Sequence, residues 1–119
     1  MAAEKNFENR LKKYLDQKGV WYIKYWAGAK FTKEGIPDIL ACINGRFYGI
    51  EVKAPNGKPT MVQLVTLKKI DKAGGYGLLL YPEDFEDFKT WLNAGSPTTS
   101  TFYRRNLLNQ SNWFKKLMG

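Results

Sequence analysis

Asn44 and Gly45 separate two strand-like runs, Asp38 to Ile43 and Arg46 to Lys53. Asn-Gly between apolar runs is the strongest short-range hairpin signal, because both central residues of a type I′ turn need positive φ. A two-residue turn also fixes register. With Ile43 facing Arg46, Leu40 falls opposite Gly49 and Asp38 directly opposite Glu51, and Lys53 points to the same face as Glu51. That face also carries Leu40, Cys42 and Phe47, whereas Ile39, Ala41, Ile43, Tyr48, Ile50 and Val52 share the other. The pattern predicts a hairpin buried on both sides with charges at one end, and places Cys42 in the core.

The flanking segments complete an α/β chain. Phe7, Leu11, Tyr14 and Leu15 recur at helical spacing between Asn6, an N-cap, and Gly19, a stop. Trp21 to Trp26 alternates as a strand does, its aromatics assigned to the core, and Ala27 to Gly35 is a loop. After the hairpin, Thr60 opens a helix to about Lys72, Tyr76 to Tyr81 is a short strand, and Pro82 to Leu92 is a third helix. The helix between Lys53 and Tyr76 is a crossover that returns the chain in parallel, which makes the central sheet mixed. Residues 1–95 are expected to form the working core. Residues 96–119 begin with a Ser/Thr/Pro-rich linker and end in a short helix, Asn106 to Met118. Its Leu107, Leu108, Phe114 and Leu117 would face the core or a partner copy.

At 119 residues there is room for one modest core. The chain holds 19 Lys and Arg against 11 Asp and Glu, a formal charge of +8, which makes a polyanion, nucleic acid first, the default partner. No run is apolar enough to span a membrane. The N-terminal MAAEKNFENR lacks a signal-peptide core, so an intracellular setting is expected. Histidine is absent, which excludes Ser-His-Asp and Cys-His catalysis, histidine zinc sites and histidine general bases. Hydrolysis by such a chain must use carboxylates, lysine and a hard, oxygen-preferring metal.

Two carboxylates opposed on one face of a hairpin repel one another unless something compensates. A divalent cation does so, being held by one or two carboxylates with other positions left to water and phosphate oxygens. Lys53 would stand beside it, placed to orient or deprotonate an attacking water and to stabilise a developing negative charge. A plainer explanation makes Asp38 a turn residue after Pro37, with Glu51 and Lys53 solvated. The apolar neighbours on their face argue against it.

The string Gly35-Ile36-Pro37-Asp38-Ile39-Leu40, then Asn44-Gly45-Arg46, Ile50-Glu51-Val52-Lys53 and Gln63, resembles the PD-(D/E)XK nucleases over about residues 4 to 92. Within that superfamily it resembles the VRR-NUC type, often phage-encoded and related to Holliday-junction resolvases. The resemblance implies a restriction-endonuclease-like domain that binds Mg²⁺ or Mn²⁺. Asp38, Glu51 and the Val52 carbonyl would be the ligands and Lys53 the catalytic lysine. It also implies a glutamate from the first helix at the site. Glu8 is the choice and Glu4 the rival, and either would equally suit a helix N-terminus as a favourable charge. Gln63 would position the lysine or the DNA, although Thr60-x-x-Gln63 is also a capping box.

Two other motifs carry no such weight. Gly57-Lys58-Pro59-Thr60 lacks the upstream glycine and adjoining Ser/Thr of a P-loop, and Lys68, Lys69 and Lys72 form a wet helix face. Lys24, Lys30, Lys33 and Arg46 are expected to grip DNA phosphates without sequence preference. By analogy with resolvases, a homodimer cutting branched or junction DNA in a bacterial or phage-infected cell is expected. The alternatives are a non-catalytic binding module of the same fold, or a phosphodiesterase acting on RNA.

Overall fold

The computed structural model describes residues 2–26 and 33–119. In chain order the elements are α1 (Ala2–Lys18), β1 (Trp21–Lys24), β2 (Ile39–Ile43), β3 (Arg46–Val52), α2 (Met61–Lys72) and β4 (Tyr76–Leu80). A 3₁₀ turn at Pro82–Asp84 then leads into α3 (Phe85–Asn93), and α4 (Thr101–Met118) follows. The four strands form one sheet in the order β1-β2-β3-β4. β1, β2 and β3 are antiparallel neighbours and β3 pairs with β4 in parallel, so the expected α/β fold with a mixed central sheet is what the chain adopts.

The hairpin has its anticipated register. Asn44 and Gly45 take φ of 52° and 79°, and the ladder runs from Ile43↔Arg46 through Leu40↔Gly49 to Ile39↔Ile50. α1 starts earlier than the Asn6 cap suggests, because Ala2 to Lys5 extend the helix and Glu4 suits its first turn.

One face of the sheet carries the main core, in which Phe7, Leu11 and Leu15 of α1 and Phe85, Phe88, Trp91 and Leu92 of α3 meet Ile39, Ala41, Tyr48, Ile50 and Leu78. Against the other face lies α2, with Leu64 and Leu67 beside Leu79 and Tyr81. A Cβ on Gly77 would stand 2.2 Å from the Leu67 carbonyl oxygen, so glycine there lets the helix backbone lie directly on β4.

This second layer is narrower than the sheet, and that overturns one expectation. α2 covers β3 and β4 but leaves the β1–β2 side open. Trp21 is 63% exposed and Phe47 44%, and Cys42, between them in register, is exposed as well. The hairpin is therefore buried fully on one face only, and Cys42 and Trp21 are not core residues.

The C-terminal segment also departs from expectation. α4 begins at Thr101, where the Ser100 hydroxyl accepts from the Tyr103 N–H at 3.1 Å, and Leu108 and Leu117 point outward. Its inward face is Tyr103, Asn106 and Gln110. The reason is that α4 lies along the edge of β4 as well as against the cores, where Leu107 and Phe114 do pack inward as expected, Leu107 on the main cluster and Phe114 on the α2 cluster. Asn106 accepts from the Leu79 N–H at 3.1 Å and donates to the Leu79 carbonyl at 2.8 Å, while Gln110 donates to the Gly77 carbonyl at 2.8 Å. The free edge of β4 is thus closed by side-chain amides. The Ser/Pro stretch before α4 is likewise tied down, since buried Ser96 bonds the hydroxyls of Tyr48 and Tyr76.

Candidate active site

Asp38 lies one residue beyond the last β2–β3 pair, and its backbone is held by the Tyr25 N–H, which donates to the Asp38 carbonyl at 2.8 Å. Preceding it, Gly35 takes φ of +77°, and a Cβ there would stand 2.4 Å from Val62 Cγ1. Only glycine lets the Gly35-Ile36-Pro37 turn approach the start of α2 this closely. The Asp38 carboxylate then sits at the end of the sheet. Its Oδ2 accepts from the Val52 N–H at 2.8 Å and its Oδ1 from Lys24 Nζ at 3.3 Å.

Glu51 lies beside it on the α2 face, 3% exposed, with Oε1 buried and without a hydrogen-bond partner. Burial, and after it the Asp38 carboxylate, push Glu51 up to about 8 against the opposing pull of Lys53. Lys53 Nζ is 3.5 Å from Glu51 Oε2, and its backbone N–H is held by the Leu80 carbonyl at 3.0 Å. The spacing of Glu-x-Lys on β3 therefore delivers both side chains to one end of one face.

From α1, Glu8 reaches the same cluster and is itself 3% exposed. Its Oε1 accepts from Lys24 Nζ at 2.7 Å, and its Oε2 faces Lys12 at 3.5 Å and Lys5 at 3.7 Å. Burial raises its carboxyl, but the Lys24 hydrogen bond and the charges of Lys24, Lys12 and Lys5 outweigh that and hold it below its ordinary value. For Lys24 burial works against the charge, and Glu8 and Asp38 together more than reverse it. Glu4, the rival glutamate, lines a groove that Glu8 and Asp38 also line.

Gln63 completes the capping box of α2, its Oε1 accepting from the Thr60 N–H at 2.9 Å while its own N–H donates to Thr60 Oγ1 at 3.2 Å. It also lines a groove of about 490 Å³ together with Lys5, Glu8, Lys24, Trp26, Lys33 and Asp38. Of the basic residues expected to meet DNA, Lys24 and Lys33 line this groove, and Lys30 lies outside the described residues. Arg46 stands at the hairpin turn, roughly 17 Å along β3 from Glu51, with its guanidinium 4.9 Å from the Tyr76 ring centre.

Lys5 and Lys12 stand three and four residues from Glu8 on α1, a spacing readable in the sequence, but no local signal assigns Lys24 to Glu8 or Asp38, since those contacts join β1 to other elements. The one available clue was strand parity, which puts Lys24 on the side of Tyr22 and opposite Ile39.

Charges across the site run Lys12, Glu8, Lys24, Asp38, Glu51, Lys53. They alternate in sign except between Asp38 and Glu51. Among the described residues no three His, Cys, Asp or Glu side chains converge as a ready-made metal cage. The like-charged pair, with its unpartnered buried oxygen, is the place where a hard cation would relieve repulsion and satisfy Glu51.

No protein of curated function matches the chain. Residues 2–79, from the start of α1 into β4, match the family described as archaeal Holliday junction resolvase (Hjc). The mixed sheet, the Pro-Asp and Glu-x-Lys pair converging at one end of its central strands, and this match over most of the chain together place the protein in the archaeal Holliday junction resolvase family of PD-(D/E)XK nucleases.

Proposed function

We propose that the protein is a divalent-metal-dependent endonuclease that hydrolyses phosphodiester bonds in branched DNA, the four-way junction foremost. The observation that carries this reading is the juxtaposition of Asp38 and Glu51, one beside the other with Glu51 raised by burial and by Asp38, and Lys53 3.5 Å away. A binding module gains nothing from buried carboxylates that repel phosphate. Asp38, Glu51 and the Val52 carbonyl would hold Mg²⁺ or Mn²⁺, which would supply Lewis-acid stabilisation and lower the pKa of a water.

The chain's own residues do the rest. Lys53 orients the attacking water and takes up charge that develops on the phosphate oxygens. Lys33 and Lys5 line the groove beside the site and bind the backbone of the substrate, contacts that give affinity without sequence preference. Gln63, at the rim of that groove, positions the strand near Lys53. Glu8 acts on Asp38 through Lys24 and so holds the cluster in place. The VRR-NUC branch and a phage setting fit the same residues.

Cutting two strands of a junction symmetrically calls for two sites, and a homodimer supplies them. Trp21 and Phe47, exposed on either side of Cys42, offer one apolar surface for that contact, and Leu108, Leu117 and Met118, exposed on α4, offer another.

The test is cleavage of labelled four-way-junction, linear duplex, single-stranded DNA and RNA substrates with Mg²⁺ or Mn²⁺. Metal-dependent cutting with the junction preferred is expected. Junction binding with no cutting under either metal would overturn the enzyme reading, and preferential cutting of RNA would overturn the substrate.

A further inference from the structure

We propose that Lys24 is a placeholder cation, whose ammonium occupies Asp38 until a divalent ion binds and is then driven off that carboxylate. The inference rests on the metal-site reading above and adds to it a residue that sets the affinity of the site.

Both oxygens of Asp38 are engaged, but not equally. Oδ2 accepts from the Val52 N–H at 2.8 Å, a donor fixed by the sheet backbone that cannot withdraw. Oδ1 accepts from Lys24 at 3.3 Å, a donor at the tip of a flexible side chain on an edge strand. The same ammonium lies 2.7 Å from Glu8 Oε1, so its stronger bond is elsewhere and the bond to Asp38 is the one that yields. A doubly charged ion arriving at Asp38 repels the ammonium, and Lys24 has somewhere to go. Glu8 retains it, and the Trp26 ring, with its centre 5.5 Å away, flanks it on the groove side.

Lys24 thus does for Asp38 part of what the ion does. It keeps one carboxylate of the like-charged pair compensated, and it competes with the ion for the same oxygen. Removing the ammonium should leave a site that binds the ion more tightly.

The test is a calorimetric Mn²⁺ titration of the full chain at fixed pH and ionic strength, on wild type, Lys24→Met, Glu8→Gln, the double variant and Asp38→Asn. Lys24→Met is expected to bind Mn²⁺ about tenfold tighter than wild type, the order given by removing a charge some 5 Å from the ion in a wet site. A gain at least as large is expected on the Glu8→Gln background, where the ammonium has no second carboxylate to hold it away from the ion. The double variant removes both members of the buried ion pair, so it carries the comparison if Lys24→Met alone does not fold. Binding through Asp38, lost in Asp38→Asn, with affinity unchanged or weakened by Lys24→Met, would overturn the placeholder role and leave the metal site standing. Wild type that binds no Mn²⁺, or binds it equally after Asp38→Asn, would overturn the metal site and this role with it.

Discussion

Glu51 is held up to about 8 by burial and by Asp38, so at neutral pH the folded, metal-free carboxyl keeps a proton that the unfolded chain has released. A group raised on folding contributes stability that is fully present below its ordinary value of 4.5 and is lost as pH rises through about 8. In EDTA, urea-denaturation midpoints should therefore fall between roughly pH 5 and 9. Glu51→Gln should flatten that slope and exceed wild type by about 2 kcal/mol near the alkaline end. Metal binding at Glu51 must expel the same proton, so Mn²⁺ affinity should rise over that range. Gln63 allows a second test at this scale. Loss of its capping box in Gln63→Ala should remove about 1 kcal/mol of stability. If Gln63 also positions the strand, single-turnover cleavage far below the melting temperature should slow as well, whereas an unchanged rate would leave it a cap alone.

Among the elements, α4 does a job that hydrophobic patterning conceals. Asn106 pairs with both backbone groups of Leu79, so Asn106→Leu strands a buried N–H and C=O and should destabilise the fold by about 3 kcal/mol in urea denaturation. This face was legible only in part: Leu107 and Phe114 pack inward as expected, but Leu108 and Leu117 were assigned inward where the chain turns in Asn106 and Gln110. A helix against a strand edge needs amides where a helix against a core needs leucines. The hairpin was legible to the residue, since a two-residue turn leaves the register no freedom, and that register alone placed Asp38 beside Glu51. Residues joined only by tertiary packing were not. Nothing local to Lys24 announces Glu8 sixteen residues earlier, and nothing in Trp21, Cys42 or Phe47 says that α2 stops short of their side of the sheet.

In the proposed homodimer the open β1–β2 side would serve self-association, and the groove beside Asp38 the substrate. Trp21→Glu should weaken the dimer at least tenfold by sedimentation or light scattering, since it buries a charge in an apolar contact, while leaving monomer melting little changed. An unaltered oligomeric state would place the contact elsewhere. In the proposed nuclease Asp38, Glu51 and Lys53 act together, which is tested most directly by single-turnover cleavage of a four-way junction with Mg²⁺ by wild type, Asp38→Ala and Lys53→Ala, with folding and junction binding followed in parallel. Both substitutions should lower the rate by a factor of about 10³ or more while binding persists. A variant lacking Asp38 or Lys53 that still cuts at close to the wild-type rate would contradict the assignment of the active site.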